Sequence, residues 1–446
     1  MGSYVPNTLD ERKAMLNEIG YESIDDLFRH IPEQVKIQGG LDIPEGMSEM
    51  EVLKKMKEIA KKNKVFPTIA SKNQVFKIIF RGAGAYRHFI PSIVNSVISK
   101  ENLLTAYTPY QAEISQGILQ SIFEYQTMMA DLTGMDVSNA SVYDGATAAA
   151  EAVAMCADRK RKKAFVSATV MPSVLEVIKT YCFGNELEIE VIPEKDGVTD
   201  IDYLKEHIDK QVACVLIQHP NYYGSLEDAQ TIGEVAHEAG TKYVMSVNPI
   251  SLGALKTPRE YGADVAVGDG QPLGLPIAFG GPYLGFMTCV ESMMRKLPGR
   301  VVGETEDHNG KKGYVLTLQA REQHIRREKA SSNICSNQAL CALAVGVYLS
   351  CMGNEGVTKA AEQSMSKAHY MAEKLAEAGF KVENKQNFFH EFVTVSDTPS
   401  EKVLKALEDE DILGGYPLDD KRILWCCTEM NTKEEIDKAV SILKEV

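Results

Sequence analysis

Short apolar runs that alternate with amphipathic stretches dominate the middle of the chain and constrain its fold more than any other feature. The runs are AFVSA (164–168), EIEVIP (188–193), ACVLIQ (213–218), YVMSV (243–247) and DVAVG (264–268). Helical patterns such as SVLEVIKTYCFG (173–184) and DAQTIGEVAHEAG (228–240) separate most of them. Strands of this kind, alternating with helices, are typical of a sheet that is buried on both faces. The sequence therefore predicts an α/β fold with a mostly parallel sheet and helices on both faces.

The two ends of the chain have a different character. The N-terminal region is polar and helical, with candidate helix caps at Asn7-Thr8, Ser23 and Ser48, the last leading the capping box SEME. After a long helical stretch, the C-terminal region alternates strands such as HEFVTVSD with helices such as TKEEIDKAVSILKEV. We predict a helical N-terminal arm over 1–65, a large α/β domain over 66–315, and a connecting helix with a small α+β domain over 316–446.

Charge and composition exclude several classes of function. The formal net charge is −14, which disfavours nucleic acid and anionic membranes as partners. The longest apolar candidate, residues 339–350, is too short for a membrane span and is expected to be a buried helix. The start of the chain lacks the pattern of a signal peptide. Nine cysteines without a C-x-x-C pair fit buried thiols in a reducing cytoplasm, and neither they nor the nine histidines predict a metal site.

The loop Tyr107-Thr108-Pro109-Tyr110-Gln111 is the first candidate site. Pro109 disfavours helix at the residue before it, so the loop should be structured and a helix should follow from about residue 112. Ile114, Ile118, Ile122 and Tyr125 then share one apolar face. The loop could present two phenols and an amide to a ligand, or it could be a turn that packs onto a core.

Two other loops have similar alternatives. Arg81 to His88 (RGAGAYRH) holds two glycines that allow close backbone approach and arginines suited to a carboxylate or phosphate, but it could equally be a surface turn. Asp144-Gly145-Ala146-Thr147 lies between a strand and a helix, where free N–H groups can bind phosphate or where the helix can simply be capped. The charged run REQHIRREK (321–329) is typical of a solvated face, and the segment after it could line a subunit interface.

Several long motifs, in order along nearly the whole chain, resemble the P-protein (glycine decarboxylase) family of the glycine cleavage system. They are YTPYQAEISQG, DGATAAAEA, QHPNYYGSLED and REQHIRREKASSNICSNQAL. These motifs are those of the N-terminal half of a single-chain P-protein, so the resemblance implies the α subunit of the two-subunit form. It also implies the fold of fold-type-I pyridoxal phosphate enzymes and an αβ pair that dimerises to α2β2. The implied reaction decarboxylates glycine and passes the aminomethyl group to the lipoyl arm of H-protein.

The resemblance also implies that the cofactor site of this chain is incomplete. The family's Schiff-base lysine precedes a proline by five positions, and that position here is Gln271, which has no amine to form the imine. The acidic partner of the pyridine nitrogen is replaced by Asn248, and the His-Pro of many relatives by Met171-Pro172. Pyridoxal phosphate is therefore expected on the β partner, with Tyr107, Thr108, Tyr110 and Gln111, then Arg81, Tyr86 and His88, as active-site wall. Two alternatives stay open: a self-sufficient enzyme that uses Lys256, and a purely structural or regulatory partner.

Overall fold

A computed structural model describes residues 7–37, 41–60, 78–278, 280–383 and 387–446 of the chain. The chain divides into two compact units, residues 1–64 and 65–446. The boundary predicted after residue 65 lies outside the described residues, and the one predicted after residue 315 falls within a β-strand, Lys312–Thr317.

The N-terminal unit is helical in its described part. Helix α1 (Leu9–Glu18) is capped by Thr8, whose hydroxyl accepts from Glu11 N at 3.2 Å. Helix α2 (Glu49–Ala60) begins after Ser48, whose hydroxyl accepts from Glu51 N at 3.3 Å. The caps predicted at these two residues are confirmed. The last residues of the predicted second helix, 61–63, lie outside the described ranges.

The larger unit contains all the strands of the described residues. They are β1 (Ile78–Ile79), β2 (Val137–Ser138), β3 (Lys163–Ser167), β4 (Glu188–Ile192), β5 (Glu194–Lys195), β6 (Val198–Thr199), β7 (Val212–His219), β8 (Lys242–Val247), β9 (Val265–Asp269), β10 (Gly285–Cys289), β11 (Val301–Glu306), β12 (Lys312–Thr317), β13 (Lys381–Val382), β14 (Glu391–Val395), β15 (Ile412–Leu413), β16 (Tyr416–Pro417) and β17 (Arg422–Cys426).

The α-helices of this unit follow the predicted alternation. They are α3 (Ser92–Ile98), α4 (Glu101–Leu104), α5 (Gln116–Thr133), α6 (Gly145–Cys156), α7 (Pro172–Gly184), α8 (Ile201–His207), α9 (Ala229–Glu238), α10 (Gln323–Arg326), α11 (Ala339–Glu377), α12 (Ser400–Glu408) and α13 (Lys433–Leu443). Short 3-10 helices occur in both units, at Ile24–Phe28, Glu33–Val35, Ala112–Ile114, Pro249–Gly253, Glu291–Lys296, Gln319–Arg321 and Arg327–Lys329.

Seven strands form the central sheet in the order β2-β10-β9-β8-β7-β3-β4. Neighbours from β4 to β9 pair in parallel, and β10 pairs antiparallel with both β9 and β2. Alternate residues enter two separate cores: Val215 and Ile217 lie in one, Cys214 and Leu216 in the other. Both faces of the sheet are thus buried, which explains why its strands are continuous apolar runs. The predicted mostly parallel sheet is confirmed.

A second sheet, β13-β14-β17-β16, is antiparallel and carries the C-terminal core. Trp425 at its centre is fully buried, and its indole N–H donates to Thr394 Oγ1 at 2.7 Å. Helices α12 and α13 contribute Val403 and Ile436 to the same core. This is the strand and helix mixture predicted for the end of the chain.

Helix α11 is the long connecting helix predicted before the C-terminal domain. It includes the apolar run 339–350 and ends at Glu377, with a break at Gly353 (φ 60°, ψ −175°), but it begins only at Ala339 rather than near residue 316. By length and composition alone it could cross a membrane, a test that core helices of soluble proteins also pass. Val345 and Tyr348 pack into the core of the large sheet, and Met371 packs into the C-terminal core.

The segment that follows Pro109 corrects one expectation. A 3-10 turn covers Ala112–Ile114, and α5 begins only at Gln116. Ile122 and Tyr125 are buried as predicted, but Ile114 is 81% exposed. The backbone at Ser115 (φ −116°, ψ 18°) is not helical, so the helical periodicity of α5 does not extend back to Ile114, which leaves the apolar face.

Candidate functional site

A cleft opens where the parallel strands of the large sheet end. Its volume is about 580 Å³, including space open to solvent. Gln218 from β7, Ser246 from β8 and Asp269 from β9 line it, together with the start of α6 at Gly145. The carboxyl ends of parallel strands are where α/β folds bind ligands, because the loops there diverge and leave a crevice. This cleft is the candidate site.

Gln271 is 1% exposed and uses its amide to join two loops of the site. Its Oε1 accepts from Tyr86 N at 2.8 Å, and its Nε2 donates to Tyr86 O at 2.8 Å and to Leu275 O at 2.9 Å. Its backbone N–H donates to Asp269 Oδ1 at 2.9 Å. The side chain is both donor and acceptor here, a combination that an amide provides and a lysine ammonium does not.

Asn248 lies at the end of β8 and lines the cleft. Its Oδ1 accepts from Ile250 N at 3.0 Å, so the side chain caps the following turn. Its Nδ2 lies 3.4 Å from His390 Nε2. Burial holds the pKa of His390 well below its usual range, with the positive potential of His88 acting in the same direction. No acidic side chain occupies this position.

Two carboxylates occupy the N-terminus of α6. Asp144 Oδ1 accepts from Thr147 N at 2.7 Å, and Asp269 Oδ2 accepts from Gly145 N at 3.0 Å. Burial raises the pKa of Asp269 to about 6, against the opposing effect of its backbone hydrogen bonds. The helix end that the sequence offered as a phosphate site is therefore satisfied from within the chain, and a phosphate there would meet two acidic groups.

Met171 narrows the same cleft. Its backbone N–H donates to Gln218 Oε1 at 2.9 Å, which fixes the residue at the start of α7. A Cβ placed on Gly84 would lie 2.7 Å from the Met171 sulfur, so the glycine loop passes directly against this side chain. The positive φ of 114° favours glycine at position 84, and a Cβ there would also require the flexible end of the Met171 side chain to shift.

The loop Arg81 to His88 is anchored by buried polar contacts. Arg81 donates through Nη2 to Gly415 O at 2.9 Å, so its guanidinium binds a backbone carbonyl of the same chain rather than a ligand. Tyr86 OH donates to Glu391 Oε2 at 2.8 Å, and the same carboxylate accepts from Ala83 N at 2.7 Å. Burial raises the pKa of Glu391 to about 7. His88 Nδ1 lies 2.7 Å from Glu429 Oε2.

The structure separates the two groups of predicted wall residues within this chain. Tyr86 lines the cleft, whereas Tyr107, Thr108, Tyr110 and Gln111 do not. Tyr107 and Tyr110 are both exposed, with their ring centroids 6.4 Å apart. Tyr110 lies over Arg300, with 4.9 Å between the guanidinium carbon and the ring centroid. Any contribution of this loop to an active site has to be made outside the cleft of its own chain.

Lys256 also lies outside the lining of the cleft. It is exposed, and its Nζ lies 5.9 Å from the centroid of the Tyr261 ring.

Sequence reasoning missed Asp269, Gln218 and Glu391. Asp269 and Gln218 could have been found, because each stands at the end of a predicted parallel strand; Glu391 gave no such signal.

Comparison with known proteins assigns the family. The profile of the family "Glycine cleavage system P-protein" matches residues 2–443. The chain belongs to the P-protein family. It is 49% identical over 452 residues to the probable glycine dehydrogenase (decarboxylating) subunit 1 of Desulfitobacterium hafniense, with 100% of both chains covered. It is 48% identical over 450 residues to the protein of the same name from Listeria innocua, with 99% of both covered.

Solved structures agree with the P-protein assignment. A chain of the crystal structure of glycine decarboxylase (P-protein) of the glycine cleavage system, in inhibitor-bound form, matches with TM-score 0.88 and 39% identity over 100% of both chains. An aspartate aminotransferase from Thermus thermophilus matches with TM-score 0.59 and 15% identity over 83% of this chain and 98% of that one, which shows the fold alone. The predicted fold, that of fold-type-I pyridoxal phosphate-dependent enzymes, is confirmed.

The cleft of this P-protein chain does not fit the cofactor of that fold. Position 271 offers an amide instead of an amine, position 248 offers no acid for a pyridine nitrogen, and the helix end is occupied by Asp144 and Asp269. Met171 and Gln271 instead bind the cleft's own loops.

Proposed function

We propose that this chain is the α subunit of a two-subunit glycine dehydrogenase (decarboxylating) of the glycine cleavage system, acting in the cytoplasm. With its β partner it decarboxylates glycine and transfers the aminomethyl group to the lipoyl arm of H-protein. The observation that carries the proposal is similarity over the full length to proteins named subunit 1, in a chain whose lysine position is Gln271. An enzyme of this family needs that lysine, so the second chain has to supply it.

Pyridoxal phosphate is assigned to the β partner, bound there covalently. Two observations support this division. The amide of Gln271 cannot form an imine with the cofactor's aldehyde, and the two carboxylates at the start of α6 disfavour its phosphate group. The pair is expected to dimerise to α2β2. No step of the reaction is placed in the cleft of the α chain.

The contribution of the α chain to chemistry is a wall of the partner's site. Tyr107, Thr108, Tyr110 and Gln111 form an ordered loop whose two phenol rings face outward, and are thus available to a neighbouring chain. Such a wall excludes water from the reacting carbon and orients the substrate. Arg81, Tyr86 and His88 support the site less directly, because the Arg81 guanidinium, the Tyr86 hydroxyl and Nδ1 of His88 are bound to other parts of the same chain.

A purely structural role for this chain is the second candidate. It is favoured by the fact that Tyr107 and Tyr110 lie outside the cleft and that Gln271 is fully used in joining loops. In that case the β partner would retain its turnover when the outward-facing phenols are removed.

Borohydride trapping and reconstitution test the proposal together. The isolated chain, treated with pyridoxal phosphate and reduced, should show no stoichiometric pyridoxyl adduct by intact mass. Mixed with the β partner and lipoylated H-protein, it should restore glycine-dependent release of carbon dioxide that neither chain gives alone. A stoichiometric adduct mapped to Lys256, or full activity of the β partner alone, would contradict the proposed function.

A further inference from the structure

A second cavity opens at the other end of the parallel strands from the cleft. Its volume is about 780 Å³, including space open to solvent. Ala213 at the start of β7 and Lys242 at the start of β8 line it. Gln218 and Ser246, near the ends of the same two strands, line the cleft. A ligand in the second cavity would therefore leave the cleft free.

Three cationic side chains from three separate segments line this cavity. They are Arg161, which precedes β3, Lys242 in β8, and Lys296 at the end of a 3-10 helix. Arg161 donates through Nη1 to Gly240 O in the turn before β8, which holds the guanidinium at the cavity wall. Lys242 Nζ lies 2.7 Å from Asp264 Oδ1. We call the space between these three cations the cationic cavity.

Acidic groups balance part of this charge. Asp264 pairs with Lys242, and Asp158 lies in the lining itself. The Asp158 carboxylate accepts from Lys160 N at 2.7 Å and from Arg161 N at 2.9 Å. These backbone hydrogen bonds lower the pKa of Asp158, and the positive charge of Lys296 acts in the same direction. The C-terminal end of α6 adds roughly half a negative charge, so the lining alone is close to balance.

The rim of the cationic cavity carries the excess of positive charge. The run Arg159–Lys163 (RKRKK) places five cations in succession between α6 and β3, in a chain of net charge −14. Its last two lysines are paired with glutamates. Arg159, Lys160 and Arg295 are exposed and form no ion pair within the part of the chain that the structure describes. A helix dipole attracts cations only at its last turn, so it does not account for a run of this length.

The arrangement of the cations favours phosphate as the anion. Lysine ammonium groups bind phosphate as point charges, and a guanidinium can give it two parallel hydrogen bonds. A phosphate group presents three oxygens in different directions, which suits cations that come from three segments. A carboxylate presents two coplanar oxygens and suits a single arginine better.

We propose that the cationic cavity is a binding site for a small ligand that carries phosphate groups. The ligand is small because the cations converge on a concave space whose volume is within the range of small-molecule sites. Nucleic acid or an acidic protein would instead need a more extended surface. The site goes beyond the proposed function, since none of its residues belongs to the cleft or to the loop assigned to the wall.

Calorimetric titration of the purified chain with inorganic pyrophosphate tests this site. We expect one equivalent to bind. Lys296→Glu should raise the Kd at least about tenfold, because an attractive charge at the cavity becomes a repulsive one. Lys296 is exposed, so the thermal midpoint of the variant should stay unchanged. Lys296→Arg, which keeps the charge, should bind pyrophosphate like the unsubstituted chain.

Lys402→Glu is the matched control. It makes the same change at an exposed lysine of α12 and should leave the Kd unchanged. Equal weakening by Lys296→Glu and Lys402→Glu would show attraction by net charge alone and would overturn the proposal. Absence of pyrophosphate binding to the unsubstituted chain would overturn it as well. Binding of a polynucleotide without binding of pyrophosphate would assign the basic rim to an acidic macromolecule instead.

Chemical labelling locates the bound anion independently. Pyrophosphate should slow the acetylation of Lys296 by acetic anhydride and leave that of Lys402 unchanged, as read by peptide mass. Equal rates of Lys296 acetylation with and without pyrophosphate would place the anion elsewhere on the chain and would contradict the proposed site.

Discussion

Gln271 shows how one buried amide can join two loops of the cleft. Its amide exchanges two hydrogen bonds with the backbone of Tyr86 and donates a third to Leu275 O. These bonds join the loop after β9 to the glycine loop 82–86, which in turn lies against Met171. The buried amide of Gln271 therefore stabilises the geometry of the cleft.

Gln271→Lys should not create an independent enzyme. The ammonium cannot accept from Tyr86 N, so one buried donor is left unsatisfied, and Asn248 still offers no acid. We expect a loss of about 1–3 kcal/mol in the free energy of unfolding, measured with urea, and no pyridoxyl adduct at residue 271 after borohydride reduction. Gln230→Lys, at an exposed position in α9, should change neither property. Glycine-dependent release of carbon dioxide by the Gln271→Lys chain alone would refute the incomplete-site interpretation.

Tyr110→Phe separates the two interpretations of the outward-facing loop. The ring remains over Arg300, but the hydroxyl that accepts from Nη2 is removed. Turnover of the reconstituted enzyme should fall about tenfold while the complex still forms, because the loss is one polar group of the proposed wall. Tyr370→Phe, which removes a phenol bound to Asp437 in the C-terminal domain, should leave turnover unchanged. Unaltered turnover for Tyr110→Phe would favour the structural role.

At the scale of elements, the site depends on how closely strand ends approach one another. Gly268 is the clearest case: a Cβ there would lie 2.3 Å from Val247 O and 2.6 Å from the ring of Phe286. The parallel pairing of β8 with β9 and the antiparallel pairing of β9 with β10 leave no room for a side chain. The edge of the cleft is therefore fixed by backbone packing before any ligand binds.

Gly268→Ala should lower the free energy of unfolding by at least about 2 kcal/mol, because the neighbouring atoms include backbone that cannot move aside. Gly346→Ala is the matched control in α11, where a Cβ would meet nothing within 4 Å. It should leave stability unchanged or raise it by about 0.5–1 kcal/mol, since alanine favours helix. Chemical denaturation of both variants checks the contrast, and equal effects would contradict the packing argument.

At the scale of the whole molecule, buried carboxylates set the response to pH. Burial raises the pKa of Glu391 to about 7, of Glu151 to about 7 and of Asp269 to about 6. The native state then holds these protons more tightly than the unfolded state does. Their contribution to stability is present below the unfolded-state pKa values and is lost as the pH rises through 6 to 7.

Glu391→Gln should flatten this response. A glutamine resembles the protonated carboxyl and can still meet Ala83 N and the Tyr86 hydroxyl. Between pH 5 and pH 8 the unsubstituted chain should lose more stability than the variant, by on the order of 3 kcal/mol for a shift of this size. Urea unfolding of the isolated chain at both pH values measures the difference. Parallel pH dependence of the two proteins would show that Glu391 does not titrate in this range.

The sequence alone determined the α/β alternation, the family, and the residue types at positions 248 and 271. These conclusions follow from local periodicity and residue identity, which do not depend on what lies nearby in space. The same reasoning failed at Ile114, because periodicity holds only while the backbone stays helical and the turn at Ser115 ends it. The long helix before the C-terminal domain was also predicted, but it begins only at Ala339, because two 3-10 turns and a four-residue helix precede it.

Only the tertiary structure decided what the site residues do. The carboxylate of Asp269 reaches Gly145 N across 124 positions, and Arg300 reaches Tyr110 across 190. Glu391 reaches Ala83 across 308. The packing of the sheet and its helices determines which residues meet at such separations along the chain. No local sequence pattern indicates which of many possible partners comes within hydrogen-bonding distance. The residue types at positions 248 and 271 could therefore be read from the sequence, whereas the contacts that Gln271 and Arg300 make could not.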